Sequence, residues 1–201
     1  MWITWKHQDR ELSWPLSFEQ KVELFYEQAL GWQLHIADLV ANGGNAFGEQ
    51  GQREGTAVSS VRHSGFAVLQ ICLSYFETIG RYTGVGSGSK AAFGKGVLEV
   101  FPELAADTSA RTTAVIDSLY KDARCGLYHN VRSARVGLGW PPDGAAIAYD
   151  SPSARVVVNP ERLPKVLKAH LERFCDALLN KENEALQAVF ETRFDVDMGA
   201  A

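Results

Sequence analysis

Hydrophobic residues recur along most of the chain at intervals of three and four, which is the pattern of amphipathic helices. The first such run covers residues 17–44, and its apolar positions are Phe18, Val22, Phe25, Leu30, Leu34 and Ile36. Ser17 and Gln20 have the spacing of a capping box at its start, and Gly43-Gly44 ends it. The pattern predicts one long helix at the beginning of the fold.

Two further runs carry apolar stripes that predict buried helical faces. In the helix predicted over about 57–82, the stripe consists of Val61, Phe66, Leu69, Cys72 and Phe76. In the helix predicted over about 108–132, it consists of Ile116, Leu119, Ala123 and Leu127. The first of these helices also holds Glu77 and Arg81 four residues apart, the spacing of a solvated surface ion pair.

Segments rich in glycine separate these helices and predict loops. Residues 43–56 are typical of a polar loop, and 84–96 of a flexible connector into a short helix over about 90–101. The connector "GVGSGSKAAFGKG" does not fit the Walker pattern, because Lys90 is flanked by Ser89 and Ala91. It therefore does not predict a phosphate-binding loop.

The chain changes character after the breaker "GLGWPPDG". Two β-prone runs, at about 147–149 and 155–158, flank the turn "DSPS" and predict a small β-hairpin near 146–158. Asn159 as N-cap and Pro160 as first helical residue then predict a return to helix as far as Phe194. The tail from residue 195 is predicted to fray.

These elements together predict a mainly all-α fold, a helical bundle that carries one β-hairpin. The 201 residues suit a single domain over 1–201, with a helical core at about 16–195. Apolar residues make up 46% of the chain, which is enough to form such a core.

Charge and cysteine content exclude several classes of protein. The formal net charge of −4 provides no overall basic field for gripping nucleic acid, so any such contact needs a local basic patch. Cys72, Cys125 and Cys175 are far apart, which indicates reduced thiols and no zinc-type metal site, and we expect no cofactor. The N-terminus lacks a signal-peptide pattern, and no apolar stretch reaches membrane-spanning length. We expect a cytoplasmic protein without membrane contact.

The segment "YKDARCGLYHNVRS", residues 120–133, concentrates the candidate chemistry late in the third long helix. On an ideal helix the five residues from Arg124 to His129 advance about 500°, or about 140° net, so the two side chains would not share a face. The length of the arginine side chain and a local distortion at Gly126 are the two features that could bring them together.

The spacing Arg-x4-His, present as "RCGLYH", resembles the Arg-x(4–6)-His signature of the HEPN superfamily (higher eukaryotes and prokaryotes nucleotide-binding domain). The order of elements is also similar, and the resemblance covers about residues 16–195. It implies a helical bundle that forms homodimers in which two motifs face a shared cleft. Many members are metal-independent ribonucleases, while others are inactive binding modules.

The resemblance implies that His129 is a general acid/base and that Arg124 holds the scissile phosphate, roles that suit a group titrating near neutrality and a bidentate cation. Lys121, Arg124, Arg132 and Arg135 against Asp122 give residues 121–135 a formal charge of +3. The candidate substrate-binding residues are Lys121, Tyr128, Asn130 and Arg132, with Tyr128 suited to stacking on a base.

Three classes of function stay open. The first is a metal-independent endoribonuclease of a toxin–antitoxin or defence system, with RNA as substrate and an antitoxin protein as partner. The second is a catalytically inactive module that binds RNA, a nucleotide or a protein. The second is favoured by Cys125, because active members often carry a polar residue after the motif arginine. A third alternative is an assembly protein whose hairpin makes the contacts.

Overall fold

The computed structural model describes residues 3–4, 6–8, 12–47, 53–85, 88–107, 109–130 and 133–199. The fold is mainly helical with little strand, so the predicted fold class is confirmed. The helices are α1 (Phe18–Ala29), α2 (His35–Asn42), α3 (Gly65–Tyr82), α4 (Ser89–Val100), α5 (Ser109–Asp117), α6 (Gly126–Asn130), α7 (Leu163–Leu179) and α8 (Glu184–Asp197). The strands are β1 (Gly44–Phe47), β2 (Arg53–Val58), β3 (Val136–Leu138), β4 (Ile147–Asp150) and β5 (Arg155–Val158).

Two π-helical segments join consecutive α-helices into longer helical runs. The first, Leu30–Leu34, connects α1 to α2, and the second, Ser118–Cys125, connects α5 to α6. The predicted capping box is confirmed at the start of α1, where the Gln20 amide donates to the Ser17 hydroxyl and the Ser17 amide donates to Gln20 Oε1.

The prediction of a loop at 43–56 was wrong, because β1 and β2 pair there as an antiparallel hairpin. The prediction that a helix starts near residue 57 was wrong for the same region: α3 begins at Gly65, and Val61 and Phe66 are 55% and 41% exposed. His63 has φ 60°, a left-handed conformation that interrupts helix. Backbone pairing here occurs without the alternating apolar pattern by which a strand is recognised.

The second sheet contains the predicted hairpin and one strand that was missed. β4 and β5 pair antiparallel as expected, and β3 adds parallel to β5 with Val136 opposite Val156. β3 covers only three residues, including the start of the predicted breaker, which is too short for a period-two pattern.

Near the C-terminus three predicted boundaries were wrong. α7 begins at Leu163 rather than Pro160, although Asn159 Oδ1 accepts from the amides of Glu161 and Arg162 as the predicted N-cap would. The predicted single helix is divided by residues 180–183. α8 continues to Asp197, so the tail is ordered beyond residue 195.

Specific side-chain contacts hold α8 against the rest of the bundle. Lys21 on α1 pairs with Glu191 at 2.7 Å and with Asp195 at 2.8 Å, and the Tyr82 hydroxyl donates to Asp197 at 3.0 Å. These long-range partners order the helix end that the local sequence leaves undetermined. No helix in the described part of the chain is both long enough and apolar enough to span a membrane.

Helices α3 and α4 approach each other backbone to backbone. A methyl group built on Gly96 would lie 1.8 Å from the Phe76 carbonyl oxygen, and one built on Gly80 would lie 1.8 Å from the Ala92 carbonyl oxygen. Only glycine at both positions permits this approach. α3 supplies much of the core, with Leu69, Leu73, Tyr75, Phe76 and Ile79 all fully buried.

A buried tyrosine–histidine pair joins α3 to α7. Tyr75 Oη and His170 Nδ1 are hydrogen-bonded at 2.9 Å, and the Phe174 ring stacks on the imidazole. The pKa of His170 is lowered to about 4. Burial is the main cause, the positive charge of Arg173 adds to it, and the negative charge of Glu99 opposes it more weakly. The folded protein therefore holds His170 neutral.

Gly96→Ala should destabilise the protein by at least about 2 kcal/mol, because the added methyl group forces α3 and α4 apart. Without that contact, the same change inside a helix would stabilise by up to about 1 kcal/mol. Gly94→Ala is the matched control on α4, since its methyl group would meet only the Ile116 side chain, at 3.3 Å. Denaturant unfolding measures both variants, and equal stability of the two would contradict the close approach.

The free energy of unfolding should fall as the pH drops from 6.5 to about 4, because the unfolded chain takes up a proton that folded His170 refuses. The contribution of this group is on the order of 3 kcal/mol. His170→Gln should show a shallower dependence in denaturant titrations across this window. Identical slopes for wild type and His170→Gln would contradict the assignment.

Candidate functional site

Arg124 lies in the last turn of the second π-helical segment, and His129 lies in α6, which follows directly. π-helical turns are rare and are frequent at functional sites. Their i→i+5 hydrogen bonding changes the direction of successive side chains, so the ideal-helix angle between Arg124 and His129 does not apply. The irregular part of the helix lies before Gly126: the π-helical segment ends at Cys125, and Gly126 itself has ordinary helical dihedral angles, φ −63° and ψ −45°.

A mostly buried carboxylate on α3 holds the Arg124 guanidinium. Arg124 Nη2 donates to Glu77 Oε2, and the guanidinium carbon lies 5.6 Å from the centre of the Tyr120 ring. The Arg124 side chain remains 34% exposed, whereas the Glu77 side chain is only 13% exposed. The Arg124 guanidinium is thus held by the Glu77 carboxylate and the Tyr120 ring, while part of the side chain remains exposed to solvent.

Glu77 is shared by three donors, and we call Glu77, Arg81, Ser89 and Arg124 the Glu77 cluster. Arg81 Nη2 donates to Glu77 Oε1 at 2.8 Å, and the Ser89 hydroxyl also hydrogen-bonds the carboxylate. Burial by itself raises the pKa of the Glu77 carboxyl, but the hydrogen bonds from Arg81 and Ser89 and the charges of Arg124 and Arg81 lower it below its ordinary value. The predicted Glu77–Arg81 ion pair is present, but the prediction that it is a solvated surface pair was wrong, because the Glu77 side chain is mostly buried.

Lys121 belongs to a neighbouring group, the Asp117 cluster of Lys90, Asp117 and Lys121. Asp117 accepts from Lys90 at 2.6 Å and from Lys121 at 3.0 Å. Hydrogen bonds from Lys90 and then Lys121 lower the pKa of the Asp117 carboxyl. The Lys121 side chain is 60% exposed, so its ammonium group remains accessible beside its partner. The positive charges of residues 121–135 are therefore partly balanced by two carboxylates outside that segment, Asp117 and Glu77.

The remaining motif residues are placed less completely. His129 is exposed on α6, and Cys125 is a half-buried free thiol. Tyr128 and Asn130 belong to α6, but their side chains lie outside the described part of the structure, and so does Arg132. The structure brings Arg124 together with Glu77 and Lys121 with Asp117, so the two predicted cations belong to separate clusters.

Sequence reasoning missed Glu77 and Tyr120 as partners of Arg124, and Ser89 as a further partner of Glu77. One signal was available: α3 has only two charged residues, Glu77 and Arg81, in eighteen. A carboxylate on such an apolar helix predicts burial beside a cation. Ser89 and Lys90 come from the glycine-rich connector, where their role at the start of α4 has no local signature.

Among the described residues, no group of three or more His, Cys, Asp or Glu side chains is arranged to hold a metal ion. Comparison of the chain with protein-family models, curated proteins and solved structures found no match. The case for a function therefore depends on the geometry of the site.

Glu77→Gln should destabilise the protein by about 2 kcal/mol at neutral pH, because Arg124 and Arg81 lose their shared counter-ion. The lowered pKa of Glu77 makes its contribution present at neutral pH and lost as the pH falls through that pKa, so wild type and variant should converge in acid. Glu172→Gln is the matched control, since it removes an exposed ion pair with Lys168 on α7. A stability difference between wild type and Glu77→Gln that is unchanged in acid would contradict this role.

Proposed function

We propose that the protein is a metal-independent endoribonuclease that acts through Arg124 and His129, in line with its resemblance to the HEPN superfamily. The single observation that carries the proposal is the way Arg124 is held. Glu77 and the Tyr120 ring fix its guanidinium in a π-helical turn while a third of the side chain stays exposed. A pre-positioned, partly exposed arginine, followed five residues later on the same helical run by an exposed histidine, suits binding of a phosphodiester.

The proposed reaction is attack of the RNA 2′-hydroxyl on the adjacent phosphorus atom. A base removes the 2′-hydroxyl proton, the P–O5′ bond breaks, and an acid protonates the leaving 5′ oxygen. The products are a 2′,3′-cyclic phosphate and a 5′-hydroxyl. Arg124 stabilises the additional negative charge on the phosphoryl oxygens, and His129 transfers the protons.

A homodimer would supply both proton-transfer groups at once. Each chain carries one motif histidine, so a shared cleft would place two copies of His129 beside one phosphodiester, one as base and one as acid. Two motif segments would also double the local positive charge. The dimer, an RNA substrate, an antitoxin partner and a cytoplasmic site of action all belong to this proposal.

The charge balance of the two clusters supports phosphate binding. Glu77 is shared by two arginines and Asp117 by two lysines, so each cluster keeps one net positive charge despite its carboxylate. An incoming phosphate can therefore meet a net cationic surface in a protein of net charge −4.

An inactive RNA- or nucleotide-binding module is the second candidate. The observation that favours it is Cys125, a half-buried thiol that follows Arg124 directly. A thiol is a weak hydrogen-bond donor and offers little to a phosphate or to an attacking hydroxyl. This candidate retains Arg124-dependent binding without turnover.

Purified full-length protein should cleave single-stranded RNA in the presence of a chelator and leave 2′,3′-cyclic phosphate ends. His129→Ala should reduce the rate by at least about 100-fold, because the proton-transfer group is lost. Arg124→Ala should reduce it by a similar factor, whereas exposed Arg155→Ala is the charge-matched control and should retain activity. Product ends and initial rates are read from labelled RNA.

Equal cleavage by wild type and His129→Ala would exclude the assignment. Binding of RNA that depends on Arg124, without any cleavage, would establish the second candidate instead. Light scattering of the active fraction tests the shared cleft, since full activity from a monomer would contradict it.

A further inference from the structure

A cavity of about 400 Å³ lies at the start of α3, where residues 60–64, the end of β3 and the turn before α7 meet. We call it the Trp140 cavity. The lining residues that matter here are Val61, Arg62, His63, Leu138, Trp140 and Glu161. None of them belongs to the Glu77 or Asp117 cluster, so the cavity is a separate feature of the molecule.

Each wall of the Trp140 cavity is tied to a regular element. The Val61 amide and the Ser64 hydroxyl both donate to the Val40 carbonyl on α2, at 2.9 and 3.3 Å. The Gly139 amide, next to Trp140, donates to the Val158 carbonyl on β5 at 3.0 Å. These bonds make a pre-formed cavity, which is the usual condition of a small-molecule site.

Hydrogen bonding also holds the side of the cavity formed by Glu161, and close packing holds Leu138 and Pro160 against Gly65. Asn42 Nδ2 donates to the Glu161 carbonyl at 2.9 Å. A methyl group built on Gly65 would lie 2.6 Å from Leu138 Cδ1 and 3.3 Å from the Pro160 ring, so these residues are packed tightly beneath the cavity. The cavity therefore does not depend on a mobile segment.

Trp140 is 73% exposed, which is unusual for a large aromatic side chain, and Val61 beside the cavity is 55% exposed. An exposed indole at the edge of a pre-formed cavity suits stacking against a flat ring. Arg62 and His63, which line the same cavity, have side chains able to donate hydrogen bonds to an anion, and Glu161, also in the lining, has a side chain able to accept one. A flat ring joined to an anion, with an amino group for the acceptor, describes a nucleotide.

We propose that the Trp140 cavity binds one nucleotide unit, with its base stacked on Trp140 and its phosphate facing Arg62 and His63. Glu161 accepts a hydrogen bond from the exocyclic amino group of adenine, cytosine or guanine, which uracil lacks. The cavity volume falls within the range of small-ligand sites.

The inference that this nucleotide belongs to an RNA strand rests on the proposed function. α3 connects the two sites, because Gly65 borders the cavity and Glu77 lies twelve residues later, about 18 Å along the helix axis. A few linked nucleotides span such a distance. The cavity would then hold a base remote from the scissile phosphate and anchor the strand.

The test measures binding of labelled single-stranded oligoadenylate by fluorescence anisotropy, with chelator, in full-length His129→Ala protein. Adding Trp140→Ala should weaken binding by about 10-fold or more, since stacking on an aromatic side chain contributes about 1–3 kcal/mol per base. Trp140→Phe should retain most of the affinity. Exposed Trp32→Ala is the matched control and should leave the affinity unchanged.

Two further arms test the polar contacts. Arg62→Gln should weaken binding and make the salt dependence shallower, whereas exposed Arg155→Gln should do neither. Oligouridylate should bind more weakly than oligoadenylate, and Glu161→Gln should reduce that difference. Titration with AMP distinguishes a free nucleotide from an RNA strand as the ligand. Trp140-dependent binding of AMP without binding of the oligonucleotide assigns a free nucleotide. Trp140-dependent binding of the oligonucleotide without binding of AMP assigns an RNA strand.

Equal affinities of Trp140→Ala and Trp32→Ala for both probes would overturn the nucleotide subsite. If the wild type still cleaves RNA in that case, the endoribonuclease proposal survives the loss of the subsite. If the wild type does not cleave, but AMP binds in a Trp140-dependent way, the subsite stands and the endoribonuclease proposal fails.

Discussion

Helices α3 and α4 touch through their backbones at Gly80 and Gly96, and the arrangement around Arg124 depends on that contact. The close approach brings Ser89, at the start of α4, within hydrogen-bonding reach of Glu77 on α3. Glu77 follows Phe76 directly, whose carbonyl faces Gly96. Larger residues at the two glycine positions would separate the helices and shift the carboxylate that holds Arg124.

The Glu77 and Asp117 clusters show how a site can stay cationic inside an acidic protein. Each carboxylate is shared by two cations, so it orients them without neutralising both. α3 carries Glu77 near its end and borders the Trp140 cavity at its beginning. Helix α3 thus sets the distance between the two sites that we propose for RNA.

The features that sequence reasoning found were those with a strong local signature. Ser17 and Gln20 identified the start of α1, and the β-prone runs around "DSPS" identified β4 and β5. Strand β3 was missed because three residues are too few to show an alternating pattern. Strands β1 and β2 were missed because their residues do not alternate between apolar and polar. The end of α8 was mispredicted because Asp197 is held by Tyr82, more than a hundred residues away.

The sequence by itself determined the helical character of the chain and the positions of Arg124 and His129 late in one helical run, because both follow from local spacing. Only the tertiary structure decided that Arg124 is held by Glu77, forty-seven residues earlier. It also decided that Trp140 borders a cavity with Arg62 and His63. Ion pairs and cavities depend on which helices pack together, and that choice is made by burial of the whole core rather than by any short stretch of residues.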